Sequence, residues 1–194
     1  MARVRARWWP WAGIVGILAA VAAIQFAMGR VPICSCGYVK LWENQVWSSG
    51  NSQHLTDWYT LSHIVHGFLF YALLAWLRPS WSLAWRAVAA LVIEGAWEVL
   101  ENTPLIIDRY REVTASLDYY GDSIVNSVGD NVAMLVGFAI AARLPVWGAV
   151  AAVLALEGVA AWVIRDNLTL NVLMLLWPVE AVRDWQVQGA PTAR

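Results

Sequence analysis

Three histidines, fourteen carboxylates, two cysteines and a handful of amides are the side chains here that could move protons or hold a metal. Their spacing is not random. His63 and His66 stand three apart. Glu94, Glu98 and Glu101 fall within about 60° of one helical face at 100° per residue. Asn126 and Asp130 stand four apart and share a face if the segment is helical. Asp122 leads into that segment, and Asn171 follows Arg165 and Asp166 near the C-terminal end. Imidazole and carboxylate oxygen together suit zinc, manganese or iron. A metal set of His63, His66, Glu98 and Asp122 would acidify a bound water for hydrolysis. Without a metal, a carboxylic acid of raised pKa and a neutral imidazole make an acid–base pair. On that chemistry Glu98, Asp122, Asp130 and His66 are the candidate catalytic residues. Arg109, Arg165, Asn126 and Asn171 are the candidate substrate-binding residues, the arginines for a phosphate or carboxylate head group. A divalent ion is the cofactor this set would take, and no established zinc signature contains the order H-x-x-H, E-x-x-E, D-x-x-x-N-x-x-x-D.

The elements that must position these residues are apolar. Hydrophobic residues make up 60% of the 194-residue chain and charged residues 14%, against about 45–50% and 25% in soluble domains. Mean hydropathy is +0.53. Such a chain reads as an all-α polytopic membrane helix bundle, a single integral membrane domain over residues 1–194. Six apolar stretches approach the roughly 20 residues a span needs: about 11–29, 61–77, 84–103, 123–142, 146–164 and 167–182. Proline or arginine punctuates most of their ends.

Eight of the 13 cations fall in the segments that lie inside if the N-terminus is inside. They are Arg3, Arg5, Arg7, Arg78, Arg86, Arg143, Arg183 and Arg194. Under the positive-inside rule this places both termini in the cytoplasm. The first apolar run is too long, and its flank Gly29-Arg30-Val31-Pro32 too bulky, for a cleaved signal peptide. The net charge of -1 gives no field for nucleic acid. Lipids are the partner the composition implies, and it names no protein partner.

On this topology nearly all the polar residues gather toward one side. Charges near the bilayer centre cost at least ~2.5–3.5 kcal/mol each, so they face the bundle interior or a wet cavity. The expectation is a polar pocket opening outward, lined by spans two, three, four and six. Three readings follow: an enzyme acting on a lipid or envelope substrate, a small-solute or proton transporter, or a structural or assembly protein whose polar residues fix helix packing. The sequence leaves the enzymatic and non-enzymatic readings open. Cys34-x-Cys36 lies outside the first span; thiols there tend to pair, but the single intervening residue makes a bridge between these two strained, which leaves a pair of turn residues or metal ligation with His54.

Several strings together carry a resemblance. They are Cys34-Ser-Cys36-Gly37, Ser62-His63-x-x-His66-Gly67, Trp97-Glu98-x-x-Glu101-Asn102, Gly121-Asp122-Ser123-x-x-Asn126-Ser127, and Ile164-Arg165-Asp166-Asn167-Leu-Thr-Leu-Asn171. The chain resembles a family of uncharacterised bacterial multi-pass proteins of unknown function, over roughly residues 30–186. The resemblance implies the inner membrane of Gram-negative bacteria. It supplies no reaction and no site residue.

Overall fold

The computed structural model describes residues 8–114 and 119–189. Arg3, Arg5, Arg7, Asp118 and Arg194 lie outside them. Eight α-helices and no strand occur among the described residues: α1 (Trp9–Ala27), α2 (Thr60–Leu77), α3 (Leu83–Glu101), α4 (Pro104–Val113), α5 (Ile124–Ala141), α6 (Val146–Ile164), α7 (Leu168–Leu176) and α8 (Glu180–Val187). The starts follow local chemistry. Ser82, Ser123 and Asn167 cap α3, α5 and α7 by accepting backbone N–H bonds from Trp85, Asn126 and Leu170. Prolines 10 and 104 occupy the first turns of α1 and α4, where no N–H is missed.

Four helices, α1, α2, α5 and α6, are long and apolar enough to cross a membrane. The third expected span, α3, has 19 residues but carries Arg86, Glu94, Glu98 and Glu101. Its carboxylates are tolerated because Glu94 and Glu98 are fully buried against neighbouring helices. The sixth expected span is corrected. Over 167–182 the helix α7 has only nine residues, about 13 Å at 1.5 Å per residue, against about 30 Å of hydrocarbon. It ends at Trp177-Pro178, and α8 begins at Glu180.

Both ends of α7 are tied to one end of the bundle. Glu157 of α6 accepts the N–H groups of Leu168 and Thr169. Asp166 accepts the hydroxyl of Tyr59, just before α2. Arg109 of α4 donates to the carbonyl of Leu175. Arg165, at the end of α6, donates to the carbonyl of Trp185 in α8 at 2.9 Å. The chain therefore does not return to the opposite end through residue 189. The C-terminal end of α8 thus sits with Arg165, through Trp185 and Gly189.

The helices α2 and α5 form the central seam, with α3 and α1 beside them and α6 against α2. Two glycines make the seam close, and a third, Gly129, brings α5 against the loop before α2. A Cβ on Gly67 would overlap the carbonyl of Met134 and the amide of Phe138; one on Gly137 would overlap the carbonyl of Ile64, and one on Gly129 that of Leu55. Small residues allow this approach where no hydrophobic force drives apolar helices together. One end of the bundle is closed and dry. There Leu74, Ala90, Leu91, Met134 and Phe138 form a buried apolar cluster. The outward faces of α1, α2 and α6 are apolar as well, with Val15, Leu73, Trp76, Trp147, Leu154 and Trp162 exposed. A contiguous surface of that kind needs lipid or a partner to cover it.

A candidate functional site at the polar end of the bundle

At the other end the same three helices bury polar groups. A cavity of about 160 Å³ opens there, much larger than one water requires. His63, His66 and Ser62 of α2, Trp97 and Glu101 of α3, and Asp130 of α5 line it. Tyr110 of α4 and the loop residues Asn51, Ser52, Tyr59, Tyr119 and Asp122 complete the polar wall. Leu168, Asn171, Val172 and Leu175 of α7 close one side. A polar cavity is thus present, lined from α2, α3, α5 and α7.

Glu94 is the pivot of the polar wall. Its Oε1 accepts from His63 Nδ1 at 2.6 Å, and its Oε2 accepts from His66 Nδ1 at 3.0 Å. One carboxylate on α3 thereby orients two imidazoles presented three residues apart on α2. Carboxylates hold metal-binding and basic histidines in just this way, fixing the ring and leaving Nε2 for chemistry. His63 Nε2 lies 3.8 Å from Asp130 Oδ2, and Thr60 Oγ1 donates to the other Asp130 oxygen at 2.9 Å.

Behind this wall is a second layer. Glu98 Oε2 accepts from Ser127, and Gln25 of α1 donates to the same hydroxyl at 2.6 Å. Glu98 Oε1 has no hydrogen bond and lies 3.4 Å from His63 Nδ1. Burial of such an oxygen without a partner is costly. Its nearest polar neighbour is the His63 ring.

Asp122 is held at the rim. It accepts from Asn102 Nδ2 at 2.7 Å and from Tyr119 at 3.1 Å, and its own N–H donates to Asn102 Oδ1. Burial pushes its carboxyl above the ordinary range, opposed by those two hydrogen bonds. Asp57, just outside α2, is likewise raised by burial, against hydrogen bonds from the Ser52 and Tyr59 amides. Asp166 is pushed up to about 7 by burial, even though Asn167, Tyr59 and Asn171 donate to it.

The sequence-predicted residues divide into three groups. His63, His66, Asp122, Asp130 and Asn171 line the cavity. Glu98 lies behind it, and Asn126, also buried, leaves Nδ2 without a hydrogen bond. Arg109 and Arg165 are not among its lining residues; their guanidiniums donate to the carbonyls of Leu175 and Trp185. The metal grouping also differs in composition. Ligand atoms come within 4.8 Å of one another in His63, His66 and Glu94, and in His63, Glu98 and Glu101, whereas Asp122 belongs to neither group. The site list from sequence omits Glu94, Glu101, Tyr59, Ser127 and Gln25. Glu94 and Glu101 share the helical face of Glu98, and Gln25 is the one amide in the apolar run of α1. Those are the signals that point to them.

Residues 25–188 match the family model described as a protein of unknown function, DUF2585. The chain belongs to that family. Its relatives include a UPF0314 protein of Rhizobium etli (strain CIAT 652), 59% identical over 184 residues, covering 95% of this chain and 94% of the relative. A UPF0314 protein of Paracoccus denitrificans is 58% identical over 159 residues, 82% of each chain. One of Sphingopyxis alaskensis is 52% identical over 179 residues, covering 92% of this chain and 95% of the relative. No solved structure matches the chain. The DUF2585 match takes in every cavity-lining residue, from Asn51 to Leu175.

Proposed function

We propose that this is a bacterial inner-membrane enzyme whose cavity acts on a lipid or envelope substrate from the periplasmic side. The observation that carries the reading is the pair of imidazoles held by Glu94 against Asp130 in one outward-opening cavity. A divalent ion fits this donor set. Buried Glu94, Glu98, Asp122 and Asp130 with Glu101 outnumber the nearby cationic groups, and like charges so close are not all ionised without a counter-ion or protons. A metal held by His63, His66 and Glu94, or by His63, Glu98 and Glu101, would supply Lewis acidity and an acidified water. The chain's own groups orient the ring nitrogens, neutralise the cation and offer Asp130 and Glu101 as proton acceptors.

A second reading, metal-free acid–base catalysis, is favoured by one arrangement. The His63 ring lies between two carboxylates, Nδ1 at 2.6 Å from Glu94 and Nε2 at 3.8 Å from Asp130, so it can carry a proton between them.

The substrate class follows from the walls. Trp97, Leu168, Val172 and Leu175 give the cavity an apolar side. The outer surface of α7, with Leu173, Leu176 and Trp177 exposed, continues it toward lipid. Among the described residues, no Lys or Arg lines the cavity. A phosphate head group would therefore be held through the metal and not by a guanidinium clamp.

Five crossings, α1, α2, α3, α5 and α6, support an orientation with the closed end in the cytoplasm. Arg3, Arg5, Arg7, Arg78 and Arg143 belong to the three short segments assigned there, Arg86 to the first turn of α3, and none of the 14 acidic residues falls in those segments. The C-terminal helix α8 then lies on the periplasmic side with Arg165. Reporter fusions after residues 143 and 188 should read cytoplasmic and periplasmic; a cytoplasmic reading at 188 overturns this topology.

Elemental analysis of the purified chain tests the metal. About one divalent ion per chain, lost in His63→Ala and retained in Asp122→Asn, supports it. A metal-free protein whose complementation of a deletion strain is lost in His66→Ala and Asp130→Asn leaves acid–base catalysis. Full complementation by both variants and by Glu94→Gln sinks the enzyme reading in favour of helix packing. Lipid profiling of the deletion strain names the substrate through the species that accumulates.

A further inference from the structure

The cysteine pair lies outside the cavity chemistry and has its own surroundings. Cys34 and Cys36 are joined in a disulfide two residues apart. A bridge stabilises mainly by closing a loop in the unfolded chain, and the gain shrinks with loop length. This loop is among the shortest possible. The segment is also already fixed without it. Ile124 and Val125 donate to the carbonyls of Val31 and Pro32 at 2.9 and 3.1 Å, and Leu55 donates to that of Lys40 at 3.1 Å. Arg30 Nε donates to the carbonyl of Asp122 at 3.0 Å. The bridge adds little to a loop held at so many points, so its use lies elsewhere.

The two sulfurs are not equivalent. Cys34 is buried, at 6% exposure, and Cys36 is exposed. The backbone N–H of Cys36 donates to Cys34 Sγ at 3.1 Å. A hydrogen bond of that kind steadies a thiolate on Cys34 and makes it the better leaving group. A ring nitrogen of His54 lies within 4.8 Å of both sulfurs. His54 Nδ1 accepts the Lys40 N–H at 3.2 Å, which puts the ring proton on Nε2. Burial holds this imidazole below its ordinary pKa and so neutral, able to give and retake a proton. An exposed sulfur to be attacked, a stabilised leaving sulfur and an adjacent proton carrier are the parts of a thiol–disulfide exchange centre.

We propose that Cys34 and Cys36 form an exchangeable dithiol–disulfide pair at the cavity end of the bundle, with a thiol or dithiol of the periplasm as reaction partner. The thiolate of the partner attacks Cys36 Sγ, the Cys34–Cys36 bond breaks, and Cys34 leaves as thiolate and takes a proton. A second partner thiolate attacks the partner sulfur of the mixed disulfide and releases Cys36. Two partner thiols lose two electrons and two protons and become a disulfide. The pair gains both and becomes two thiols. Run backward, the reduced pair is oxidised by a partner disulfide, with Cys36 as nucleophile and Cys34 resolving.

The experiment uses the full chain in detergent, equilibrated in glutathione buffers and quenched with a maleimide polymer that reports free thiols. Thiols per chain should go from zero to two across glutathione buffers, without denaturant. Cys34→Ser, left with the exposed sulfur, should retain a glutathione adduct at least tenfold more than Cys36→Ser. His54→Gln should slow the approach to the same end point severalfold. Four results overturn the proposal: a bridge that resists excess dithiothreitol until the protein is unfolded, thiols free at the outset, equal adducts in the two serine variants, or a reduced chain whose thiols are shielded by a stoichiometric metal held with His54. None of these outcomes bears on the cavity, because the variants leave His63, His66 and Glu94 untouched.

Discussion

Ser127 and Met134 stand two turns apart on one face of α5, and both are completely buried. Around Met134 the bundle is Leu74, Leu91 and Phe138. Around Ser127 it is Gln25, Glu98 and Asn131, all hydrogen-bonded to it. The same three helices thus build a dry half and a polar half without any change of fold. In the dry half, cohesion comes from close contact, because lipid competes with every apolar surface. In the polar half it comes from bonds that lipid cannot replace, so each group there depends on a named partner. A bundle that needed only to hold together would extend the first solution along its whole length.

The sharpest way to break the dry half is to part its seam. Gly67→Leu sets a side chain into the Met134 carbonyl and the Phe138 amide, both backbone and unable to yield. The cost should exceed about 3 kcal/mol, the upper part of the range for overpacking. Gly158→Ala meets nothing within 4 Å and should stay within about 0.5 kcal/mol of wild type. Folded yield and thermal melting in detergent measure both. Equal melting of the two variants would mean that α2 and α5 do not touch as described.

Next come the two residues of the comparison itself. Met134→Ala opens a cavity in the apolar cluster and should cost about 2–5 kcal/mol. Ser127→Ala removes the donor to Glu98 and the acceptor for Gln25, for about 1–3 kcal/mol. The two differ in rescue. Leu at 134 should restore stability to within about 1.5 kcal/mol, whereas Thr at 127 restores it only if the hydroxyl, and not the volume, is what matters. Melting of the four variants decides, and rescue of Ser127→Ala by added bulk alone would dissolve the distinction between the halves.

That distinction was readable in the sequence because it rests on periodicity. The three-residue step from His63 to His66 and the common face of Glu94, Glu98 and Glu101 survive into the structure unchanged. What periodicity cannot show is the length over which an apolar run stays straight. Residues 167–182 have the composition of a span, and Pro178 is visible in them. Yet the turn at Arg165, where φ is +54°, and the capture of the Leu168 and Thr169 amides by Glu157 are tertiary facts. Nor can it show which cation is already engaged. Arg109 and Arg165 donate to the carbonyls of Leu175 and Trp185, contacts that no spacing in the sequence announces. The shared role of Glu94 is hidden for the same reason, since it depends on α2 and α3 meeting at one height.

The smallest effect separates the halves by pH. Every strongly buried acid among the described residues lies toward the cavity end, so only that end should titrate. Asp166, between α6 and α7, is the clearest case outside the spans, raised by burial from 3.8 to about 7. The sign follows from proton counting. Between those two values the folded chain holds a proton that the unfolded chain has lost, so stability falls as pH rises and levels off above about 7. Going from about pH 6 to about pH 8 should cost about 1.4 kcal/mol for this one group. Asp166→Asn keeps the shape and removes the titration. Comparing its melting with that of wild type at the two pH values cancels every other acid. The gap should shift by that amount, with wild type the one to lose stability at the higher pH. A gap that stays constant would mean that Asp166 is already ionised at pH 6, and that the rim under α7 is wet enough to solvate its charge.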